Sequence, residues 1–481
     1  MSEDNQQSLS PVTESARIDV MDILRGFALI GIVFMNIEWF NRSGTELRTF
    51  DVSLTGMDHT VGWLVRAFVE GKFYKLFALL FGMGFAVMLL RAREAGRPFG
   101  AWFIRRMLAL LLIGLAHQVL LWDGDILHDY AFAGLVFLGW IYLFDVRWLR
   151  RFNTPSAFLK IGIVWLILPF AFASYGGIKL GAQSSDNDVR QQWQYDLELE
   201  ASIERQLDDP ALDDAASATA DSAEEGDDRE LTAEERREKK VDYWVGVERR
   251  RIQAAQAEIE IMSGDSYLAA VRYRVANLPR DWSKTPFFTF ILLIPIYLIG
   301  YWFVASGVLQ RHRELRQLFN SITALGLGLG TVLSVAGLLM IQHPIWKISD
   351  SMSAIAFWTF SLGQLVLAAG YFGLIVVLAG QPAFYRILKL LAPFGRMALT
   401  NYIMQTVILV LIFHGYAGGQ FGEVSRSAQM LIVVAIIVFQ ILLSAWWLKR
   451  FRFGPLEWIW RSATYLSWQR LRLQSESIAQ V

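Results

Sequence analysis

The chain has no cysteine, so neither a disulfide nor a thiolate metal centre contributes to it. It also lacks the local signatures of soluble catalysis: a Walker phosphate loop, a Gly-x-Ser-x-Gly elbow and a His-Glu-x-x-His zinc helix are all absent. The run GLGLG at Gly326–Gly330 lies inside an apolar stretch with no strand before it, where small residues serve close helix approach; the same holds for Gly82 and Gly84. Net charge is missing too. Lys and Arg total 45 and so do Asp and Glu, and the basic clusters sit at the borders of apolar runs, so nothing supports a nucleic-acid partner. The first 17 residues are polar and carry acids but no basic region, which argues against a cleaved signal peptide and leaves the first apolar run as an anchor.

What is present is apolar surface. Hydrophobic residues make up 54% of the chain and aromatics 14%, and apolar runs of about 18 residues or more recur, the length that crosses hydrocarbon as a helix. The expected fold class is all-α: a polytopic helical membrane protein of about ten transmembrane helices with a helical or disordered extracytoplasmic insertion. The runs fall near 23–40, 65–90, 101–122, 128–145, 157–181, 286–308, 318–341, 354–380, 396–414 and 427–448. The second carries Arg66, Glu70, Lys72 and Lys75 in its first half, which predicts an interfacial or re-entrant start.

Lys and Arg gather in alternate short loops: Arg91, Arg93, Arg97, Arg105 and Arg106, then Arg147, Arg150 and Arg151, then Arg311, Arg313 and Arg316, then Arg386, Lys389 and Arg396. By the positive-inside rule these loops and both termini face the cytoplasm. The chain then divides into a polar tail (1–17), a first membrane half (18–181), an external insertion (182–285), a second membrane half (286–470) and a tail (471–481). Within the insertion, DDPALDDAASATADSAEEGDDRE is acidic and nearly free of aromatics, so about 207–231 is expected to be disordered. Its flanks hold strong helix formers, and Thr232 followed by Glu235 reads as a capping box. A solvated helical lid or spacer is the simplest reading of these flanks.

Polar residues inside the apolar runs are the candidates for function. Asp22 and Arg25 share a helical face in the first run, as scaffold or as site, with Asn36 and Glu38 near its other end. Asn401 and Gln405 present amides one turn apart, for helix adhesion or for substrate contact. His117 stands out: it lies in a run of Leu, Ile, Ala and Gly, roughly 7 Å along the axis before Trp122. Asp123 and Asp125 follow at the helix exit, where a carboxylate can fold back onto the imidazole. The spacing of these groups matches no strong metal pattern, and no metal is expected.

The segments IDVMDILRGFALIGIVFMNI, GKFYKLFALLFGMGF, GLAHQVLLWDGDILHDYAFAG, GRMALTNYIMQTVI and FRFGPLEWIWRSATY resemble the signature blocks of the YeiB-like bacterial inner-membrane family, a domain of unknown function. That family is grouped by remote similarity with transmembrane acyltransferases, including polysaccharide O-acyltransferases and lysosomal heparan-glucosaminide N-acetyltransferase. The resemblance implies about ten helices and an acyl donor arriving from the cytoplasm. It places the acid and base of the superfamily's first helix on Asp22 and Arg25, its histidine on His117, and its acidic turn on Asp123 and Asp125. His128 is peripheral to that pattern. The histidine and arginine spacing of the polysaccharide O-acyltransferases is not reproduced, so the acceptor class stays open.

Together these readings give a concrete expectation. Arginines of the second loop, Arg105 and Arg106 among them, hold the phosphates of an acyl-CoA co-substrate; no permanently bound cofactor is expected. His117 takes a proton from a hydroxyl or amine of an envelope glycan or lipid. Asn36 or Asn401, or alternatively Lys72 and Lys75, donate to the developing oxyanion. A cavity between spans one, three and nine is expected to gather Asn36, His117 and Asn401 or Gln405. The alternative is a transporter or flippase for a small or lipid-linked solute, although the two halves show no sequence repeat; a membrane scaffold recruiting a partner is a third reading. Oligomeric state is not readable.

Overall fold

The computed structural model describes residues 19–44, 55–183, 186–207, 232–343, 346 and 350–473. Among them the chain is helical, with a lone antiparallel bridge between Phe451 and Arg472. Nine described helices are long and apolar enough to cross a membrane, and Ala398–Phe413 is a shorter apolar helix. The protein is a multi-pass membrane protein of all-α architecture. Helix Ala398–Phe413 has 16 residues and so reaches only about 24 Å. Two short helices, Pro382–Leu388 and Leu391–Arg396, lead into it.

The helices that frame the site are α1 (Asp19–Asn41), α2 (Gly56–Phe68), α3 (Phe73–Glu94), α4 (Gly100–Leu120) and α5 (Leu127–Phe144). α6 is Pro155–Gln183, and the insertion contributes α7 (Asp186–Leu207), α8 (Ala233–Ser263) and α9 (Tyr267–Trp282). α10 runs Thr285–Ala305 and contains a π-helical turn at Thr289–Leu293. Then follow α11 (Arg316–Gln342), α12 (Asp350–Ala379), α13 (Pro382–Leu388), α14 (Leu391–Arg396), α15 (Ala398–Phe413), α16 (Arg426–Leu448) and α17 (Pro455–Tyr465).

The charged start of the second apolar run is a separate helix. α2 packs Ala67 against Leu338 of α11 and Phe360 of α12, and its Asp58 accepts from the backbone of Ser427 (2.9 Å) at the start of α16. The chain then turns through Val69–Lys72 into α3. Gly71 takes φ +78° there, and a Cβ would collide with the Gln364 side chain, so glycine answers both backbone and space.

Small residues set the tightest crossings. A side chain on Gly326 would meet Gly370, one on Gly330 would meet Leu367, and one on Gly337 would meet Phe360, whereas Gly328 faces open space. Every other glycine of GLGLG therefore lies against α12, as close helix approach requires. Gly82 of α3 and Gly300 of α10 oppose each other in the same way.

The insertion is docked onto the bundle. α7 and α8 pair through Leu199, Val241 and Val245, and the Thr232–Glu235 capping box forms at the start of α8. α9 seats Arg274, 1% exposed, under the end of α4. Its guanidinium donates to the carbonyls of Val119 (3.1 Å) and Leu121 (2.7 Å), groups that a helix C-terminus leaves unsatisfied. The acidic stretch expected to be disordered, after Leu207, lies outside the described residues.

Candidate functional site

Two histidines converge on one carboxylate at the junction of α4 and α5. His117, in the last turn of α4, places Nδ1 2.8 Å from Asp125 Oδ1. His128, in the first turn of α5, brings its backbone amide (2.9 Å) and Nδ1 (3.0 Å) to Oδ2. Gly114 makes room: a Cβ there would stand 2.8 Å from Asp125 Oδ2 and from the His128 amide nitrogen. Burial by itself would raise the Asp125 carboxyl, but the hydrogen bonds from His117 and His128 outweigh it and hold the group below its ordinary value. A carboxylate only accepts, so both Nδ1 atoms carry protons. The Nε2 lone pair of a neutral His117 then accepts the Thr406 hydroxyl of α15 (2.9 Å).

This hydroxyl–imidazole–carboxylate array is enclosed. His117, Asp125, His128 and Thr406 are all buried. Tyr402, one turn before Thr406, packs its ring 5.2 Å from His117. Trp282 of α9 stacks on His128 at 5.3 Å, with planes 9° apart, and its indole N–H donates to Gln118 (2.8 Å). The insertion thus roofs the array.

Three cavities line up beside it. The first, about 280 Å³, is walled by α1, α3 and α15 and has a basic mouth of Arg25, Arg91, Arg106, Arg396 and Arg461. It narrows onto Ile32, Ile126 and Tyr402, which also line a small cavity of about 100 Å³. That one shares Asn36, Gly71, Tyr74 and Gly124 with a third cavity of about 580 Å³. Tyr402, with Ile32 and Ile126, is therefore the common wall between the arginine mouth and the small cavity. Among the described residues its buried O–H has no hydrogen-bond acceptor.

The candidates read from sequence are distributed as follows. Asp22 and Arg25 pair at 2.7 Å and line the arginine mouth. Arg106 lines it too, over the Trp460 ring at 3.6 Å, whereas Arg105 donates to the carbonyl of Thr464. Asn36 lines the two cavities at the insertion end. Lys75 lines the largest cavity and donates to Gln364 Oε1 (2.6 Å); Lys72 donates to the Arg66 carbonyl (2.9 Å). Asp123 gives its backbone carbonyl to Gln118, so Asp125 alone of that pair reaches His117. Asn401 bonds Phe394 and Ser444, and Gln405 bonds Gln440 of α16; both tie helices together and neither lines any of these three cavities. His117 lines none either, since Tyr402 covers it. Among the described residues no group of three or more His, Asp or Glu is disposed to hold a metal.

Thr406 and Tyr402 were not singled out by sequence reasoning, and His128, set aside there as peripheral, is brought into the cluster. Their signal was available: Tyr402 and Thr406 form an i, i+4 pair beside Asn401 and Gln405. Glu457 of α17 was missed as well. It accepts from the Thr400 amide (3.0 Å) and hydroxyl (2.6 Å) and lines the arginine mouth. Burial raises its carboxyl, against the hydrogen bonds from Thr400.

Fold and site together define a polytopic helical membrane protein with a buried His–Asp–His cluster beside three cavities that share lining residues. Residues 303–467 match the family described as "Protein of unknown function (DUF418)". Over 96% of its length the chain is 29% identical to uncharacterized protein YxaH of Bacillus subtilis (strain 168), covering 98% of that protein. It is 27% identical over 92% of its length to uncharacterized protein YeiB of Escherichia coli (strain K12), covering 95% of it. A further relative, an uncharacterized 39.9 kDa protein in the amylase 3' region of Bacillus acidopullulyticus, is 26% identical over 95% of the chain and 96% of its own. The YeiB-like resemblance is thus a finding that runs along nearly the whole chain. No solved structure matches significantly.

Proposed function

We propose that the protein is a transmembrane acyltransferase, moving an acyl group from a cytoplasmic acyl-CoA to a hydroxyl or amine of an envelope glycan or lipid. The observation that carries this reading is the meeting at Tyr402 of a basic-mouthed cavity and an aromatic-walled cavity from the opposite end, with His117 directly behind. Guanidinium groups at the mouth suit the donor's phosphates, and the apolar walls beyond suit its arm and acyl chain. The bacterial inner membrane, with both termini cytoplasmic and the insertion outside, is the placement this requires, and the alternation of basic loops supports it.

In the transfer step the acceptor oxygen or nitrogen attacks the thioester carbon. Its proton passes to His117 Nε2, the C–S bond breaks, and the departing sulfur takes a proton from the imidazolium. Asp125 keeps the ring oriented and offsets its charge. A rotation of the Tyr402 side chain uncovers the imidazole, and the acceptor then replaces Thr406 at Nε2. The Tyr402 O–H, or the Asn36 amide, donates to the oxyanion.

The test is thioester turnover by protein in proteoliposomes, read as release of free thiol from acetyl-CoA and from palmitoyl-CoA. His117→Ala should retain donor binding and lose turnover by about 10²–10⁴-fold. Full turnover in that variant, or no donor binding by the wild type, removes the acyl-transfer reading. The lateral opening of the largest cavity, where Phe287 and Phe357 are 69% and 55% exposed, would then favour the alternative of a transporter or flippase for a lipid-linked solute.

A further inference from the structure

A second concentration of buried charge lies at the break between α2 and α3, where Glu70 and Lys75 line the largest of the three cavities and Lys72 stands just behind them. Lys72 and Lys75 are 0% and 4% exposed. Besides its bond to Arg66 or Gln364, each ammonium sits 5.0 Å from a ring centroid, Phe360 for Lys72 and Tyr74 for Lys75. Among the described residues neither makes a salt bridge, and the carboxylate nearby, Glu70, is met by Arg66 at 3.5 Å. Three basic groups thus surround one acid in a setting that penalises unpaired charge.

Beyond Asn36, Glu70, Lys75, Ser361 and Gln364 the cavity is lined by apolar and aromatic groups. Phe170 of α6, Phe287 and Phe288 of α10, and Phe357 and Trp358 of α12 form its walls, and Phe287 and Phe357 stand exposed on the flank of the bundle. Its volume of about 580 Å³ falls in the ordinary range of ligand sites.

We propose that this cavity binds a membrane lipid with an anionic, phosphate-bearing headgroup. The phosphate sits beside Lys75, Gln364 and Asn36, supplying the counter-charge that Lys75 lacks, and the chains leave between Phe287 and Phe357 into the bilayer. Basic pockets between transmembrane helices recognise such headgroups by this chemistry. That the lipid is also the acyl acceptor rests on the acyl-transfer reading; its binding does not.

The experiment uses delipidated full-length protein and no acyl donor, so its outcome is independent of turnover. Dioleoyl-phosphatidylglycerol and dioleoyl-phosphatidylcholine are titrated separately and the retained lipid is counted by native mass spectrometry. The expected result is one tightly retained phosphatidylglycerol, preferred by at least about fivefold over phosphatidylcholine. Lys75→Gln should abolish the preference and Lys75→Arg should keep it. Equal retention of the two lipids overturns the proposal, and so does displacement by inorganic phosphate alone, which would make the site a simple anion site. Should Lys75→Gln not fold, the wild type still decides: a phosphatidylglycerol with a diazirine in its chain should label α10 and α12 near Phe287 and Phe357, and labelling confined to other helices overturns the lipid site.

Discussion

His117 and Asp125 are eight residues apart in the chain and 2.8 Å apart in space, imidazole Nδ1 to carboxylate Oδ1. The contact is made by a helix end, a six-residue connection (121–126) and a helix start, and the far oxygen of the same carboxylate closes the turn by accepting from His128. Local chain geometry therefore builds an oriented imidazole before any other helix contributes.

The Asp125 carboxylate should make the fold acid-sensitive. Its folded pKa lies below 3.8, so it adds stability that is complete above the ordinary carboxylate range and is lost as pH falls through the folded value. Melting in detergent between about pH 5 and about pH 3 should fall more steeply for the wild type than for Asp125→Asn. Parallel slopes would show that Asp125 is not the group responsible.

Gly114→Ala should strain the site directly. The added methyl meets a carboxylate oxygen and a backbone nitrogen, both at 2.8 Å, and the backbone cannot yield cheaply. A loss of about 1–3 kcal/mol is expected, read as a lower melting temperature. An unchanged temperature would mean that the turn after α4 shifts freely.

At the arginine mouth, Arg106→Ala should weaken acyl-CoA binding with a smaller effect on saturated turnover, because phosphate contacts made equally in ground and transition states change mainly affinity. Arg105→Ala serves as the control. Its guanidinium holds the Thr464 carbonyl (3.1 Å), so stability should suffer and affinity should not. Equal affinity losses in both variants would dissolve the distinction between them.

Asn401→Leu removes bonds to Phe394 and Ser444 and leaves the cavities unlined by any new group. Interhelical hydrogen bonds in membranes contribute about 0.6 kcal/mol on average and up to about 1.7. A modest drop in melting temperature with unchanged donor affinity is expected. A drop in affinity alone would place Asn401 in the substrate path.

Much of this was legible in the sequence. Composition and run length specify a polytopic helical bundle, because hydrocarbon forces every backbone polar group to be satisfied within its own helix. The Thr232–Glu235 capping box and a carboxylate, Asp123 or Asp125, folding back onto His117 are equally local and were read from spacing; the choice of Asp125 came from the structure. The charged start of the second span was also legible, although its separation into α2 and a turn depends on Gly71 meeting Gln364 from α12.

What the sequence could not decide is which stripe of α15 faces the imidazole. Residues 401 and 405 carry the conspicuous amides, yet they face α16, and the adjacent stripe of Tyr402 and Thr406 meets His117. Neighbouring residues on a helix differ by only about 100° around the axis, and hydropathy scores both stripes alike within an apolar run. The amino-acid sequence by itself determined that apolar helices cross the membrane and where along them the polar groups lie. Only the packing of α15 between α4 and α16 decided which of those groups bond neighbouring helices and which close the wall between the cavities, because rotation about a helix axis is set by the side chains of its neighbours and not by its own.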